Sequence, residues 1–255
     1  MQATSEKEIL EMLAETDVVL DVGGWACPFN RANWVLDAEP YDTRGFYATV
    51  GMPGHQGGER EYFSAATWVQ RDICEKTPWP FSDKYFDFSI CSHTLEDIRD
   101  PLFVCSELIR VSKRGYIEIP SRLWETCRGW EPTGVAGLSH HRWLVDVTEH
   151  HMQFTHKFHM INTEFDLAFP KSFLRRLHPN ETVAMLWWSG SFTYAETIVH
   201  GLHNQAAFLR DFVRQRYRYP AYRSTLRDTV RGTRQCLADL RRRLRLRSRL
   251  RSLIE

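Results

Sequence analysis

The chain has 255 residues, 43% hydrophobic, 25% charged and 13% aromatic, with 14 Gly, 11 Pro and nine Trp. That composition excludes collagen-like, low-complexity and disordered classes, and the length suits one large domain or one domain with an appendage. The net charge of +1 conceals an asymmetry: residues 210–255 hold fifteen Arg, no Lys and four acids, a balance of +11, which leaves the first 209 residues at −10.

The opening MQATSEKEILEMLAE is polar and acidic, unlike the apolar core of a secretory signal, and Ile9, Leu10 and Leu13 are spaced for a short helix over 5–15. VVLDV (18–22), bounded by Gly23-Gly24, reads as a buried parallel strand and WVLD (34–37) as a second. Residues 41–66, with five Gly and Pro53, read as a long loop. TWVQRDI (67–73), YFDFSICS (85–92) and GYIEIP (115–120) supply three more strands. Between the last two, Asp100-Pro101 starts a helix that stops at Gly115. Strand, helix, strand implies a right-handed crossover, and hence an α/β protein with a doubly wound, Rossmann-like sheet.

Beyond Pro120, HRWLVDV (141–147) and MQFTHKF (152–158) read as a hairpin. TVAMLWW (182–188) and FTYAETIV (192–199) read as strands around Ser189-Gly190-Ser191, completing an appended β-rich segment over 138–199. Residues 201–217 and 221–254 read as helical, the second interrupted at Gly232. The expected organisation is a 1–199 domain with a 200–255 helical, Arg-rich tail. No stretch approaches the ~18 apolar residues of a membrane-spanning helix. The six Cys (27, 74, 91, 105, 127, 236) form no CxxC pair and read as reduced thiols of a cytoplasmic protein.

In an open parallel sheet, ligands bind beyond the carboxyl ends of the strands. The residues there are Asp21, Gly23 and Gly24 for the first strand, Asp37 with Glu39 for the second, and Asp72-Ile73 for the third. The fourth ends in Ser92-His93-Thr94-Leu95-Glu96-Asp97. Each has a use toward a nucleoside: a Gly turn admits close backbone approach, and acids accept hydrogen bonds from ribose hydroxyls or an adenine amino group. Taken singly, each is equally a turn or cap residue.

VVLDVGG (18–24) and the run from Asp72 to Arg122, above all WPFSDKYFDFSICSHTLEDIRDP, resemble the class I S-adenosylmethionine-dependent methyltransferases. The branch resembled is the small-molecule one often called type 11, and the likeness covers residues 17–122. It implies S-adenosyl-L-methionine as cofactor, with Asp21, Gly23 and Gly24 at its methionine portion, Asp37 at the ribose, Asp72 and Ile73 at the adenine, and Ser92 and His93 beneath it. The chain departs from the family pattern at GGWACP, where Trp25 and Cys27 replace small residues. Only nine residues, Trp25 to Asn33, separate the first two strands, so the usual first crossover helix is expected to be short or missing. No GxGxxG opens a helix, which disfavours a dinucleotide-dependent dehydrogenase.

The resemblance implies methyl transfer to oxygen or nitrogen of a small molecule, by family analogy a glycan or secondary-metabolite intermediate. An RNA methyltransferase and a non-catalytic interaction module are the alternatives. A base is needed only for an alcohol or a protonated amine, and the candidates are His93, His140 and His141. Alternation in HRWLVDV turns His141 inward with Trp143, Val145 and Val147, as either a hydrogen-bonded core histidine or a base. Six histidines between 140 and 159 raise the question of a metal. His151 and His156 face opposite sides of one strand, and no Cys or carboxylate cluster completes a set, so no metal is expected. Leu226, Val230, Leu237, Leu240 and Leu244 give the tail an apolar side opposite its arginines. RNA phosphates, anionic lipid, an acidic partner and the protein's own acidic body compete for it. With no aromatic residue in 223–255 to stack on bases, a membrane surface or acidic protein ranks ahead of nucleic acid.

Overall fold

The short apolar runs become adjacent strands because the central ones are buried on both faces. In the computed structural model, which describes residues 1–46 and 61–219, these are β1 (Val19–Val22), β2 (Trp34–Asp37), β3 (Trp68–Gln70), β4 (Phe88–Ser92) and β5 (Arg114–Pro120). Later strands are β6 (Trp143–Thr148), β7 (His151–His156), β8 (Val183–Ser189) and β9 (Thr193–Thr197). The main sheet runs β3-β2-β1-β4-β5-β8. Its first five strands are parallel, with Asp21 opposite Val35 and Ile90, and β8 closes it antiparallel to β5.

One face of this sheet is covered by α1 (Ala3–Met12), which inserts Ile9 among Val19, Val35, Phe88 and Tyr116. The other is covered by α2 (Pro101–Val111), whose Val104, Cys105, Leu108 and Val111 pack on Leu20, Cys91 and Ile117. The Asp100 carboxylate caps α2 by accepting from Phe103 N at 2.9 Å, and Pro101 occupies the first turn, where no donor is missed. No helix lies between β1 and β2: residues 23–33 cross as a loop in which Asn33 N returns to Val19 O.

The segment 138–199 does not form one appendage. Its hairpin β6–β7 exists, but β8 pairs residue for residue with β5 across Arg114–Pro120, and β9 lies parallel to β7. The reason is apolar content on two faces: Leu186 and Trp188 join the α2-side core, while Trp187 reaches Tyr116 on the opposite face, with ring centroids 4.5 Å apart. The turn at Ser189-Gly190-Ser191 therefore carries the chain from one sheet to the other. The small sheet β6-β7-β9 adds Trp143, Val145, Met152 and Phe154 to the same core as α2.

A helix α3 (Arg122–Glu125) follows β5, and α4 spans Leu202–Arg214. The chain divides into two units, Met1–Leu209 and Arg210–Glu255. The helix expected over 221–254, with the Arg-rich segment 223–255, lies outside the described residues, as do residues 47–60 of the long loop. Among the described residues no helix is long and apolar enough to cross a membrane.

Removing the α2 cap with Asp100→Ala is expected to cost about 0.5–2 kcal/mol, the range for loss of such a cap. Urea denaturation should show a lower midpoint at unchanged slope.

Candidate active site

The loop after β1 is closed by the acids that end its neighbouring strands. Asp37, 6% exposed, accepts from Trp25 N through Oδ2 at 3.0 Å and from Glu39 N through Oδ1 at 2.8 Å. Asp21, 3% exposed, accepts from Phe29 N at 2.7 Å. Burial pushes the Asp21 carboxyl up to about 7; the Phe29 N–H opposes that rise and the nearby Asp37 adds to it. Asp37 is likewise raised by burial, against the pull of the Glu39 and Trp25 N–H groups. Gly23 has φ +75°, and a Cβ there would lie 2.3 Å from the Thr94 side chain; one on Gly24 would lie 2.4 Å from Asp21 Oδ2. Both glycines are thus demanded by the protein's own packing: Thr94, from the loop after β4, sits against the β1 turn.

On the adenine side, Asp72 follows β3 by two residues and is half exposed. It accepts from Cys74 N at 2.8 Å and pairs with Arg99 at 2.8 Å. Ile73 is buried in the α2-side core, where its carbonyl accepts from Trp79 Nε1. At the end of β4, Ser92 Oγ is buried with no partner. His93 adopts φ +54° and places Nε2 3.0 Å from Glu118 Oε1, with Glu96 at 3.7 Å. Burial disfavours its charged form, but the hydrogen bonds to Glu118 and Glu96 outweigh that and raise its pKa to about 9. Glu118, central in β5, is held at about 2 despite its burial by His93 and the Tyr116 hydroxyl, the latter at 2.5 Å. His93 is therefore a cation at neutral pH.

The other two histidines reach the same edge from the far end of the sequence. Arg142 N and Trp143 N both donate to Glu96 O, at 2.7 and 3.2 Å, and Trp143 Nε1 donates to Ile98 O at 2.9 Å. These bonds stitch the entry of β6 onto the loop after β4. His141 precedes β6 and is buried; its Nδ1 lies 2.8 Å from Glu125 Oε2, and Lys157 holds the other oxygen of Glu125. Burial works against a charged His141, yet Glu125, with Glu96 and Asp97 nearby, raises its pKa above the ordinary value. His140 is 60% exposed, with Nε2 3.7 Å from Asp97 Oδ2.

The structure thus brings Asp21, Gly23, Gly24 and Asp37 together around one loop, sets Ser92 and His93 beside it across β4, and gathers His140 and His141 over Asp97. Asp72 joins through Arg99, whereas the Ile73 side chain belongs to the core. Sequence reasoning missed Glu125 and Lys157, which lie far from His141 along the chain. It also missed Glu118, although a lone acid inside the apolar run GYIEIP was a readable signal.

A mostly parallel sheet in the order β3-β2-β1-β4-β5, with acids at the carboxyl ends of β1 and β2, defines a doubly wound α/β protein, in which ligands bind beyond those strand ends. Residues 53–117 match the family described as a methyltransferase domain. That match covers about a quarter of the chain. No curated protein matches it. Among solved structures, it is similar to a methyltransferase from Mesorhizobium loti (17% identity over 50% of this chain and 60% of that one, TM-score 0.33). Similar too are one from Aquifex aeolicus (18%, 57% and 82%, 0.33) and one from Methanosarcina mazei (15%, 55% and 85%, 0.35). The chain spans about half the length of the first solved structures it matches.

The residues present fit S-adenosylmethionine, the cofactor that the sequence resemblance implies. Each Asp37 oxygen accepts one backbone N–H and keeps a lone pair for a ribose hydroxyl. The partnerless Ser92 hydroxyl also lies at the edge where such a ligand binds.

Because the folded-state pKa of His93 lies above its unfolded value of 6.5, its ion pairs contribute fully below about pH 6.5 and fade as the pH rises through 9. NMR titration is expected to place this imidazole near 9 in the parent, and near its ordinary value in unfolded protein.

Proposed function

We propose that the protein transfers the methyl group of S-adenosylmethionine to an oxygen or nitrogen of a small-molecule acceptor, of the glycan or secondary-metabolite class. The observation that carries this reading is the pair His141–Glu125, held by the bonds from Arg142 and Trp143 to Glu96 O at the loop after β4, the same loop whose Thr94 packs on the Gly23 turn. When bound, the cofactor supplies an activated methyl group, so the protein's task is alignment and, for a hydroxyl acceptor, proton removal.

Asp37 would accept from the ribose, the Gly23–Trp25 turn would border the methionine portion, and Asp72 would take the adenine amino group. Ser92 would bond the cofactor from below. Glu125 fixes the His141 tautomer by accepting a hydrogen bond from Nδ1–H, so Nε2 carries the lone pair that would receive the acceptor's proton. His93 does not compete for this role, because its ion pairs with Glu118 and Glu96 keep it protonated at neutral pH. Lys157, fixed on Glu125 and on Leu138 O, keeps that carboxylate oriented. His140, exposed beside His141, would face the acceptor.

Two variants test this. Asp37→Ala should weaken S-adenosylmethionine binding by about 2–4 kcal/mol in calorimetry, since bonds to a charged acceptor are worth roughly 1.5–3 kcal/mol each and are not additive. Unchanged affinity in folded protein would remove β2 from the cofactor site. His141→Asn should lower turnover roughly 10²–10⁴-fold with cofactor affinity unchanged; turnover within a few-fold of the parent would leave His141 as a packing residue.

A further inference from the structure

Asp97, His140 and His141 each offer one ligand atom, and these atoms lie within 4.8 Å of one another. His140 Nε2 is 3.7 Å from Asp97 Oδ2, and the two imidazoles cross at 81° with centroids 4.7 Å apart. Donors sharing a tetrahedral cation at ~2.0–2.2 Å stand about 3.3 Å from each other. Rotation of the exposed His140 side chain is what must close the remainder.

Three further observations point to a ligand here. Asp97 Oδ1 is buried without a hydrogen-bond partner, which native structures rarely leave unexplained. Glu125 occupies His141 Nδ1 and so leaves Nε2 as the nitrogen for a ligand; a carboxylate behind an imidazole is how metal-binding histidines are commonly oriented. Glu125 is in turn fixed by the buried Lys157, which also donates to Leu138 O at 2.6 Å. Two imidazoles with one carboxylate suit a borderline divalent cation. Magnesium and calcium, by contrast, prefer all-oxygen sets.

We propose that Asp97, His140 and His141 bind a divalent transition-metal cation of the zinc class, leaving one coordination position open. The expectation that no metal binds weighed the six histidines from 140 to 159, beside which no Cys or clustered carboxylates complete a set; the carboxylate comes instead from the loop after β4, brought there by the bonds from Arg142 and Trp143 to Glu96. The binding site stands without the methyl-transfer reading, but its use rests on that reading. An acceptor hydroxyl at the open position loses its proton to solvent water more readily, so the cation takes over the task otherwise given to His141 Nε2. Loss of turnover in His141→Asn follows from either role, so binding has to be read by itself.

The test is calorimetry of the untagged full-length protein with Zn²⁺ alone, no cofactor or acceptor present, supported by the visible spectrum of the Co²⁺-loaded protein. One equivalent is expected to bind, and Co²⁺ should show the bands of low-coordinate nitrogen–oxygen ligation. His140→Ala and Asp97→Asn should each weaken binding at least ~10-fold, as should Glu125→Gln, by ~10–100-fold. His150→Ala and His159→Ala should leave it unchanged. His140 is exposed, so its variant probes the site without disturbing the buried Glu125–Lys157 pair. A folded parent that takes up no cation, or full binding retained in His140→Ala, would overturn the proposal. Neither result depends on methyl transfer, whose own failure would appear in the cofactor and turnover measurements.

Discussion

Two backbone N–H groups, of Arg142 and Trp143, share one acceptor, the carbonyl of Glu96, and that contact decides where the second sheet sits. The loop after β4 is otherwise short of regular hydrogen bonds, so it takes its partners from elsewhere. Thr94 closes on Gly23, Ile98 accepts from the Trp143 indole, and Arg99 reaches Asp72. Residues from β1, β3 and β6 thereby converge on about six consecutive positions. Each candidate chemical group owes its position to this loop or to a strand end adjoining it.

The same edge concentrates buried charge. Asp21, Asp37, Glu96, Glu118 and Glu125 are all under a tenth exposed, in a body whose first 209 residues carry ten more acids than bases. Such burial is tolerable only with partners, and the chain answers in two ways. Glu118 is matched by the His93 cation, and Glu125 by the Lys157 ammonium together with its hydrogen bond to His141. Among the described residues Asp21 and Asp37 are matched only by backbone N–H groups, and burial pushes both carboxyls upward. The acids nearest the expected cofactor are thus the less completely neutralised ones.

Much of the scaffold was legible because it is local. Five apolar runs of three to seven residues became the parallel strands, and Asp100-Pro101 gave the start of α2 through a cap that needs only three residues to form. Asp37 and the Gly23-Gly24 turn were legible for the same reason, although the packing of Thr94 and Asp21 behind those glycines was not. What escaped was non-local. TVAMLWW and FTYAETIV look like partners across a tight turn, yet they belong to different sheets, because Trp187 and Trp188 need cover on opposite faces of the main one. Glu125 lies in an unremarkable RLWET run, and only folding shows it beneath His141. Asp97 was in view within the fourth-strand segment, but its pairing with His140 is set by the Glu96 carbonyl, which no spacing rule reports.

The interleaving of the two sheets bears on how the chain can fold and be dissected. After β5 the chain leaves the main sheet, builds β6 and β7, returns to lay β8 against β5, and leaves again for β9. Neither sheet can reach its full strand number before the other is largely assembled, and no cut between them yields a self-sufficient fragment. Contacts so distant in sequence raise the contact order and slow folding, because loop-closure entropy must be met before pairing repays it. The same wiring makes the two sheets open together, so proteases should find few partly unfolded states in this region to cleave.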